Sequence, residues 1–413
     1  MGFDDVLQKP DSRSYLRTKR FSIELDDEIR FDVLDFISGT LSPKQFTRIH
    51  ARSHLNDRAF ALNEQSLALL QSIPPSWTEE ASLAELIPRP GDPVFNDWEE
   101  MLDVGLVLCS HPSCKRHREN LTLARSVAAN FWPPSALAFH RSIVSQEGAF
   151  GSSSGTYKED VAKAHERADR FIEANGAPPR PSFTIKQALN TVSLPAGYEK
   201  GQLYDALTAR KTTRLFKKNA SCSINVLATI LRYTFGSLGH YEVSPDHSIF
   251  HKTSPSGGGL HPIEAFPVVL DVKGLGVGIY HYSCCSHHLS LFKQYELTQL
   301  RQNLVKAGHG QDFLANTCFT VLLVARWKRN FWKYRNSPNT YNVINSDAGH
   351  LGQTFQLVAT QLGMGSFYSA AVDHRSSAVL ADFEGHSLGL IGFCGCGVPD
   401  PDSVDLPFIQ KSS

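Results

Sequence analysis

The hydrophobic pattern changes period several times along the chain, and each change predicts an element. Phe21-Ser-Ile-Glu-Leu25 alternates as a strand does, and Gly105-Leu-Val-Leu-Cys109 is a short apolar strand. Asp27 to Ser38 places Ile29, Val33, Phe36 and Ile37 at near-helical spacing. Pro134 to Val144 puts Leu137, His140 and Val144 on one helical face. This mixture predicts a small α/β, winged-helix-like domain over residues 1–147. Residues 148–201 read as a linker. Gly151-Ser-Ser-Ser-Gly155 has a flexible composition. A charged helix follows from about Lys158, stops at Asn175-Gly176, and cannot continue through Pro178-Pro-Arg-Pro181.

A second domain, residues 202–413, has a denser pattern. Helices are expected over Leu203 to Arg210, Ile224 to Phe235, Thr298 to Lys306, Asp347 to Leu362 and His374 to Leu380. Strands are expected over Phe266 to Val272, Gly278 to Tyr282, His288 to Phe292, Cys318 to Arg326 and Leu388 to Cys394. Helices interleaved with a mostly antiparallel sheet argue an α+β fold.

Composition narrows the class. The 413 residues are 41% hydrophobic and 20% charged, which describes a soluble chain able to bury a sizeable core. Lys and Arg balance Asp and Glu at 41 each, so no global field favours nucleic acid or an anionic membrane. An anionic ligand must be held by a local cluster. No apolar run is long enough for a bilayer, and Met1 to Phe21 has no apolar signal core, so a cytoplasmic protein is expected. The eight cysteines are expected to be free thiols, most of them buried.

Four short segments carry candidate chemistry. Arg210-Lys-Thr-Thr-Arg214 ends a helical pattern with clustered cations and hydroxyls, suited either to phosphate or simply to a solvated helix end. Ser254-Pro-Ser-Gly-Gly-Gly-Leu-His-Pro262 lets a backbone approach a ligand closely, or is a flexible loop. Trp332-Lys-Tyr-Arg335 offers an acid/base pair in a polar loop, though adjacent Lys and Tyr also occur by chance at surfaces. Asn345-Ser-Asp-Ala-Gly-His-Leu-Gly-Gln353 opens a core helix with Ser346 as a candidate cap. The Ser254–Pro262 loop is not a P-loop, since no Gly-Lys-Ser/Thr follows, and Gly274-Leu-Gly-Val-Gly278 lacks the glycine spacing of the dinucleotide fingerprint.

In this order the four segments resemble the SagB-type branch of the nitroreductase-like superfamily, which includes azoline oxidases of thiazole/oxazole-modified microcins and cyanobactins. The resemblance covers residues 202 to 398. Trp132-Pro-Pro-Ser-Ala-Leu-Ala-Phe-His140 extends it loosely to the first domain, and the whole chain is most similar to peptide maturation dehydrogenases. The resemblance implies a nitroreductase-like FMN-binding domain and a homodimer with two flavins at the subunit interface. Arg210, Thr212 and Arg214 then match the phosphate and ribityl contacts, with Lys211 at a second phosphate position. Pro255, Ser256 and Gly257 match the loop beside the isoalloxazine ring. Ala370 and Ala371 match the stretch whose backbone faces flavin N5, and Lys333 and Tyr334 match the catalytic pair. Two departures stand out. Cys394-Gly-Cys-Gly397 replaces a basic residue, and His261 replaces an aromatic.

The expected activity is oxidation of azoline to azole in a precursor peptide. The first domain would hold that peptide, and a cyclodehydratase-type enzyme would be a partner. An NAD(P)H-dependent reductase of an electron-poor substrate, or a non-catalytic peptide-presenting scaffold, are the alternatives. Cys109, His111, Cys114 and His117 are metal-ligand types, but their spacing is not that of a standard finger or ribbon, so no metal is expected. The same holds for Cys284-Cys285 and His287-His288.

Overall fold

The computed structural model describes residues 5–31, 43–144, 200–244, 247–335, 337–381, 383 and 385–401, with isolated positions between 166 and 194. Strands β1 (Ser14–Arg17), β2 (Phe21–Phe31), β3 (Pro43–Ser53) and β4 (Ala59–Leu62) lead into helix α1 (Glu64–Ser72). Then come β5 (Thr78–Glu79), α2 (Phe95–Val104), β6 (Val107–Cys109), α3 (Lys115–Ala129) and α4 (Pro134–Val144). The strands form two antiparallel sheets, ordered β5-β1-β6 and β2-β3-β4. Local chemistry explains the helix ends. Asn63 and Ser66 form a reciprocal capping box at α1. Gly105, at φ 77°, closes α2 in the left-handed region.

One expected helix is instead a strand. Residues 27–31 belong to β2, which pairs with β3 continuously from Phe21↔Ser53 to Phe31↔Pro43. The ladder outweighs a local helical spacing, as tertiary pairing commonly does. The remainder of that expected helix, residues 32–38, lies outside the described residues. So does most of the expected charged helix, of which Glu166, Asp169, Arg170 and residues 172–174 are helical.

The second half contains α5 (Gln202–Ala209), β7 (Cys222–Ser223), α6 (Ile224–Phe235), β8 (Gly239–Ser244), β9 (His247–His251) and β10 (Ile263–Val269). It continues through β11 (Val272–Lys273), β12 (Gly278–Ser283), β13 (His288–Gln294), α7 (Leu297–Ala307) and β14 (Phe319–Arg326). Last come α8 (Trp327–Phe331), α9 (Thr340–Gln361), β15 (Gly365–Ser369), α10 (His374–Leu380) and β16 (Leu388–Gly397). Six strands form one antiparallel sheet in the order β13-β12-β10-β14-β16-β15. The two-residue period of β14 builds both of its faces. Val321, Leu323 and Ala325 pack in the cluster with α6 and α9, while Leu322 and Val324 join α7 and α10. The fold is α+β, with an additional domain before the sheet.

Helix α9 begins at Thr340, seven residues before the expected start. Tyr341 and Ile344 are buried and continue the apolar face of Ala348, Leu351 and Phe355 upstream. Ser346 is therefore not a cap; its hydroxyl donates to Asn342 O at 2.9 Å inside the helix. The Trp332–Arg335 loop likewise follows a short helix, α8, whose Trp327 and Phe331 are fully buried.

All eight cysteines are free, and five are buried. Among the described residues no helix is long and apolar enough to cross a membrane. One hydrophobic cluster joins Leu16, Leu108 and Trp132 of the first half to Trp327, Phe331 and Tyr341 of the second.

Candidate active site

The glycine-rich loop is fastened to α9 by one carboxylate. Asp347 is 3% exposed and accepts from Ser256 Oγ at 2.6 Å and from Gly257 N at 3.1 Å. Burial pushes its pKa up, while these two bonds and the nearby His350 oppose the rise. Ser256 Oγ also accepts from His261 N at 2.9 Å, which ties the two ends of the turn. Ser254 and Thr354 share a hydroxyl bond of 2.7 Å. The loop is thin because its surroundings leave no room for side chains. A Cβ on Gly257 would strike Val343, and one on Gly259 would meet Ile249 at 2.9 Å. Gly258 sits at φ 65°, and a Cβ there would lie 2.5 Å from Tyr334 Oη and 3.0 Å from Lys333 Nζ.

The ends of the expected catalytic pair therefore meet the middle of the glycine loop. Both side chains leave the turn after α8, where the Lys333 and Tyr334 N–H groups donate to Asn330 O at 3.1 and 3.0 Å. The Lys333 ammonium lies 5.4 Å from the centroid of the Tyr334 ring. Asn330 itself is fully buried, and its side-chain amide has no hydrogen-bond partner among the described residues. The turn is backed by the first half of the chain. Trp132 is fully buried, packs 4.9 Å from Phe331 and 5.0 Å from Trp327, and donates from Nε1 to His386 O at 2.8 Å. The Arg335 guanidinium lies 4.3 Å over the Phe131 ring.

The cationic segment lies beside β15. Thr212 bridges to Ser366 in parallel, and Thr213 N donates to Ser366 O at 2.8 Å. Arg210 reaches α9, donating to Gln356 Oε1 at 3.2 Å, and Arg214 stacks 5.9 Å over Phe313. Lys211 and Thr212 are exposed. Ala370 and Ala371 follow the end of the same β15, with Ala371 N donating to Ser369 Oγ at 3.3 Å. Helix α9 thus touches both outlying parts, the glycine loop at Asp347 and the cations at Gln356. These two attachments are nine residues apart, about 13 Å along the axis at 1.5 Å per residue.

The missing basic residue has a packing reason. Cys394 and Cys396 are fully buried in β16. A Cβ on Gly395 would strike Phe367, and one on Gly397 would lie 2.8 Å from Phe216. A cation on this strand would be buried between aromatic rings. His261 is held at φ 45° with Nε2 3.1 Å from Phe250 O, and burial pulls its pKa down to about 4.

The cysteine–histidine candidates separate. Cys109 is buried in β6 and His111 is exposed. Cys114 and His117 come together with Asp103, a residue the sequence spacing did not single out. The Cys284 and Cys285 sulfurs lie 3.8 Å apart at the β12–β13 turn. They join no three-ligand metal cluster among the described residues.

The sequence profile of the nitroreductase family matches residues 207–398. These residues form a nitroreductase-family domain. The trifolitoxin-processing protein TfxB of Rhizobium leguminosarum bv. trifolii is 26% identical over 180 residues, covering 42% of this chain and 43% of that protein. The chain therefore spans less than half of that relative's length. A protein of Methanocaldococcus jannaschii, named for nitroreductase likeness, is 27% identical over 168 residues, or 41% of this chain and 78% of that one. Among solved structures, the E. coli microcin synthetase McbBCD complex with truncated pro-MccB17 bound aligns at TM-score 0.48 and 19% identity, covering 66% of this chain and 96% of that one.

Within the nitroreductase domain, sequence reasoning found the glycine loop, the Lys-Tyr pair and the cationic segment as separate pieces. It assigned no role to Asp347 or Gln356, the α9 side chains that connect them. Both lie in an ordinary amphipathic pattern, so only their partners distinguish them.

Proposed function

We propose that this protein is an FMN-dependent dehydrogenase that matures a ribosomally made peptide by oxidising azoline to azole. The observation that carries the reading is the approach of Lys333 Nζ and Tyr334 Oη to Gly258, on a loop that admits no side chain. A backbone so exposed suits the edge of a planar ring. The residues fit FMN by their chemistry. Arg210, Lys211, Thr212 and Arg214 would hold the phosphate and ribityl chain. Pro255, Ser256 and Gly257 would border the ring, and the Ala370–Ala371 backbone would face N5. Bound FMN would supply a two-electron acceptor at N5. Tyr334 or Lys333 would remove the proton from the azoline carbon. Asp347 would fix the loop that borders the flavin ring.

The processing role in the name of TfxB supports a peptide substrate. The first domain, residues 1–147, would hold that precursor, with residues 148–201 as linker to the FMN domain at 202–413. Exposed Leu25 and Ile49, paired across β2 and β3, support this, beside a cavity of about 520 Å³ lined by Ile49, Leu62 and Leu67. A cyclodehydratase-type enzyme would supply the azoline, in the cytoplasm. A homodimer is proposed because α5 buries none of its residues although Leu203, Tyr204 and Leu207 are apolar. The β8–β9 hairpin similarly exposes Tyr241 and Val243. A second copy would cover such faces.

Mass spectrometry of the precursor peptide, coexpressed with and without this protein, tests the reaction. Dehydrogenation removes about two mass units per site, the mass of the hydride and proton lost. A gain of two would favour NAD(P)H-dependent reduction. No change with folded, flavin-loaded protein would favour a peptide-presenting scaffold. Lys333→Ala and Tyr334→Phe should each lower turnover by about 10²-fold or more with flavin retained. Unchanged turnover would remove the pair from the mechanism.

A further inference from the structure

Far along the chain from the glycine loop, three different metal-ligating side chains converge between α2 and α3. Asp103 stands in the last turn of α2, Cys114 precedes α3, and His117 lies in its first turn. One ligand atom from each lies within 4.8 Å of the other two. The His117 ring is buried, with Nε2 3.0 Å from Asp103 Oδ1. Cys114 Sγ accepts from His117 N at 3.4 Å, which holds the sulfur over the helix start. We propose that Asp103, Cys114 and His117 bind a single zinc ion, with a solvent water as fourth ligand.

The donor set selects the metal. Thiolate and imidazole suit zinc, whereas calcium and magnesium take oxygen ligands. Three protein ligands leave one tetrahedral position for water. A cavity of about 620 Å³ lined by Asp103, Glu99, Glu100 and Arg116 reaches the carboxylate side of the cluster, and Cys114 is half-buried. It is also held in place. Asn120 Nδ2 donates to Leu102 O and Asp103 O at 2.8 and 3.0 Å, fixing the end of α2 against α3. Asn56 Nδ2 in turn donates to Asn120 Oδ1 at 2.8 Å. Arg116 pairs with Asp103 Oδ2, orienting the carboxylate and leaving Oδ1 toward His117. On binding, the Cys114 thiol gives its proton to solvent and the imidazole coordinates as the neutral base. The ion would staple α2 to α3 across the β6 connection and add to the stability of the first domain.

The competing arrangement is a His117–Asp103 pair with Cys114 as a helix cap and no metal. The full chain, produced with zinc and without an affinity tag of histidines, separates the two. Elemental analysis should give about one zinc per chain. Replacement by Co²⁺ should give a sulfur-to-cobalt charge-transfer band that Cys114→Ser removes. Asp103→Asn, which keeps shape and helix, should weaken zinc binding about 10–100-fold. Circular dichroism establishes that each variant is folded. A folded wild-type chain with neither zinc nor a cobalt band overturns the site. So does binding unaltered in both variants, which would mark an adventitious ion only. Flavin content is read separately, so this test stands apart from that of the FMN reading.

Discussion

At Gly258 a left-handed backbone and a crowded environment coincide: φ is 65°, and a Cβ would meet Tyr334 Oη at 2.5 Å. Gly258→Ala should cost about 1–2 kcal/mol for the backbone alone. It should also displace the Lys333–Tyr334 pair, so turnover should fall further than the thermal midpoint suggests. A variant with lowered midpoint but full turnover would show that the pair does not depend on this contact. Asp347→Ala would leave Ser256 Oγ and Gly257 N without their acceptor, costing about 1–3 kcal/mol in denaturant unfolding. The glycines were legible in the sequence because three in succession are a local signal. Asp347 was not, because a lone carboxylate in an amphipathic helix gains meaning only from a loop ninety residues away.

Among elements, strongly periodic segments were readable and those decided by remote pairing were not. Helices Ile224–Phe235, Pro134–Val144 and His374–Leu380 fall where the pattern puts them. Residues 27–31 do not, because β3 supplies a ladder that no local spacing reports. The start of α9 moved upstream because Tyr341 and Ile344 find a core provided partly by Trp132 and Trp327. That same contact gives a prediction for α8. Trp132 is fully buried against Trp327 and Phe331, so Trp132→Ala should cost about 3–5 kcal/mol. Amide exchange should then rise in residues 327–335, the turn that carries Lys333 and Tyr334. Exchange confined to residues 115–144 would mean that the two halves are not mechanically linked here.

For the molecule as a whole, buried histidines set the response to acid. His386 is pulled down to about 3, chiefly by burial and then by Arg141 and Arg20. Its Nε2 lies 2.6 Å from Arg141 Nη2, a contact that requires the neutral ring as acceptor. Burial also lowers His140 and His374, and takes His261 to about 4. Unfolded histidine titrates near 6.5, so below about that pH the unfolded chain takes up protons that the folded chain refuses. The stability contributed is complete above about pH 6.5 and is lost progressively toward pH 4. The thermal midpoint should fall progressively from about pH 6.5 toward pH 4, and His386→Gln should flatten that fall. A midpoint level over this range would contradict the assignment.

The proposed flavin would lie between the cations at residues 210–214 and the glycine loop. The most direct test is the flavin content of the purified chain, read by absorbance after incubation with FMN and removal of the excess. The wild type should hold about one FMN per chain, as an intact site requires. Arg210→Ala combined with Arg214→Ala should lose it while staying folded. A colourless wild type that takes up no FMN, or a double variant as fully loaded as the wild type, would contradict the account.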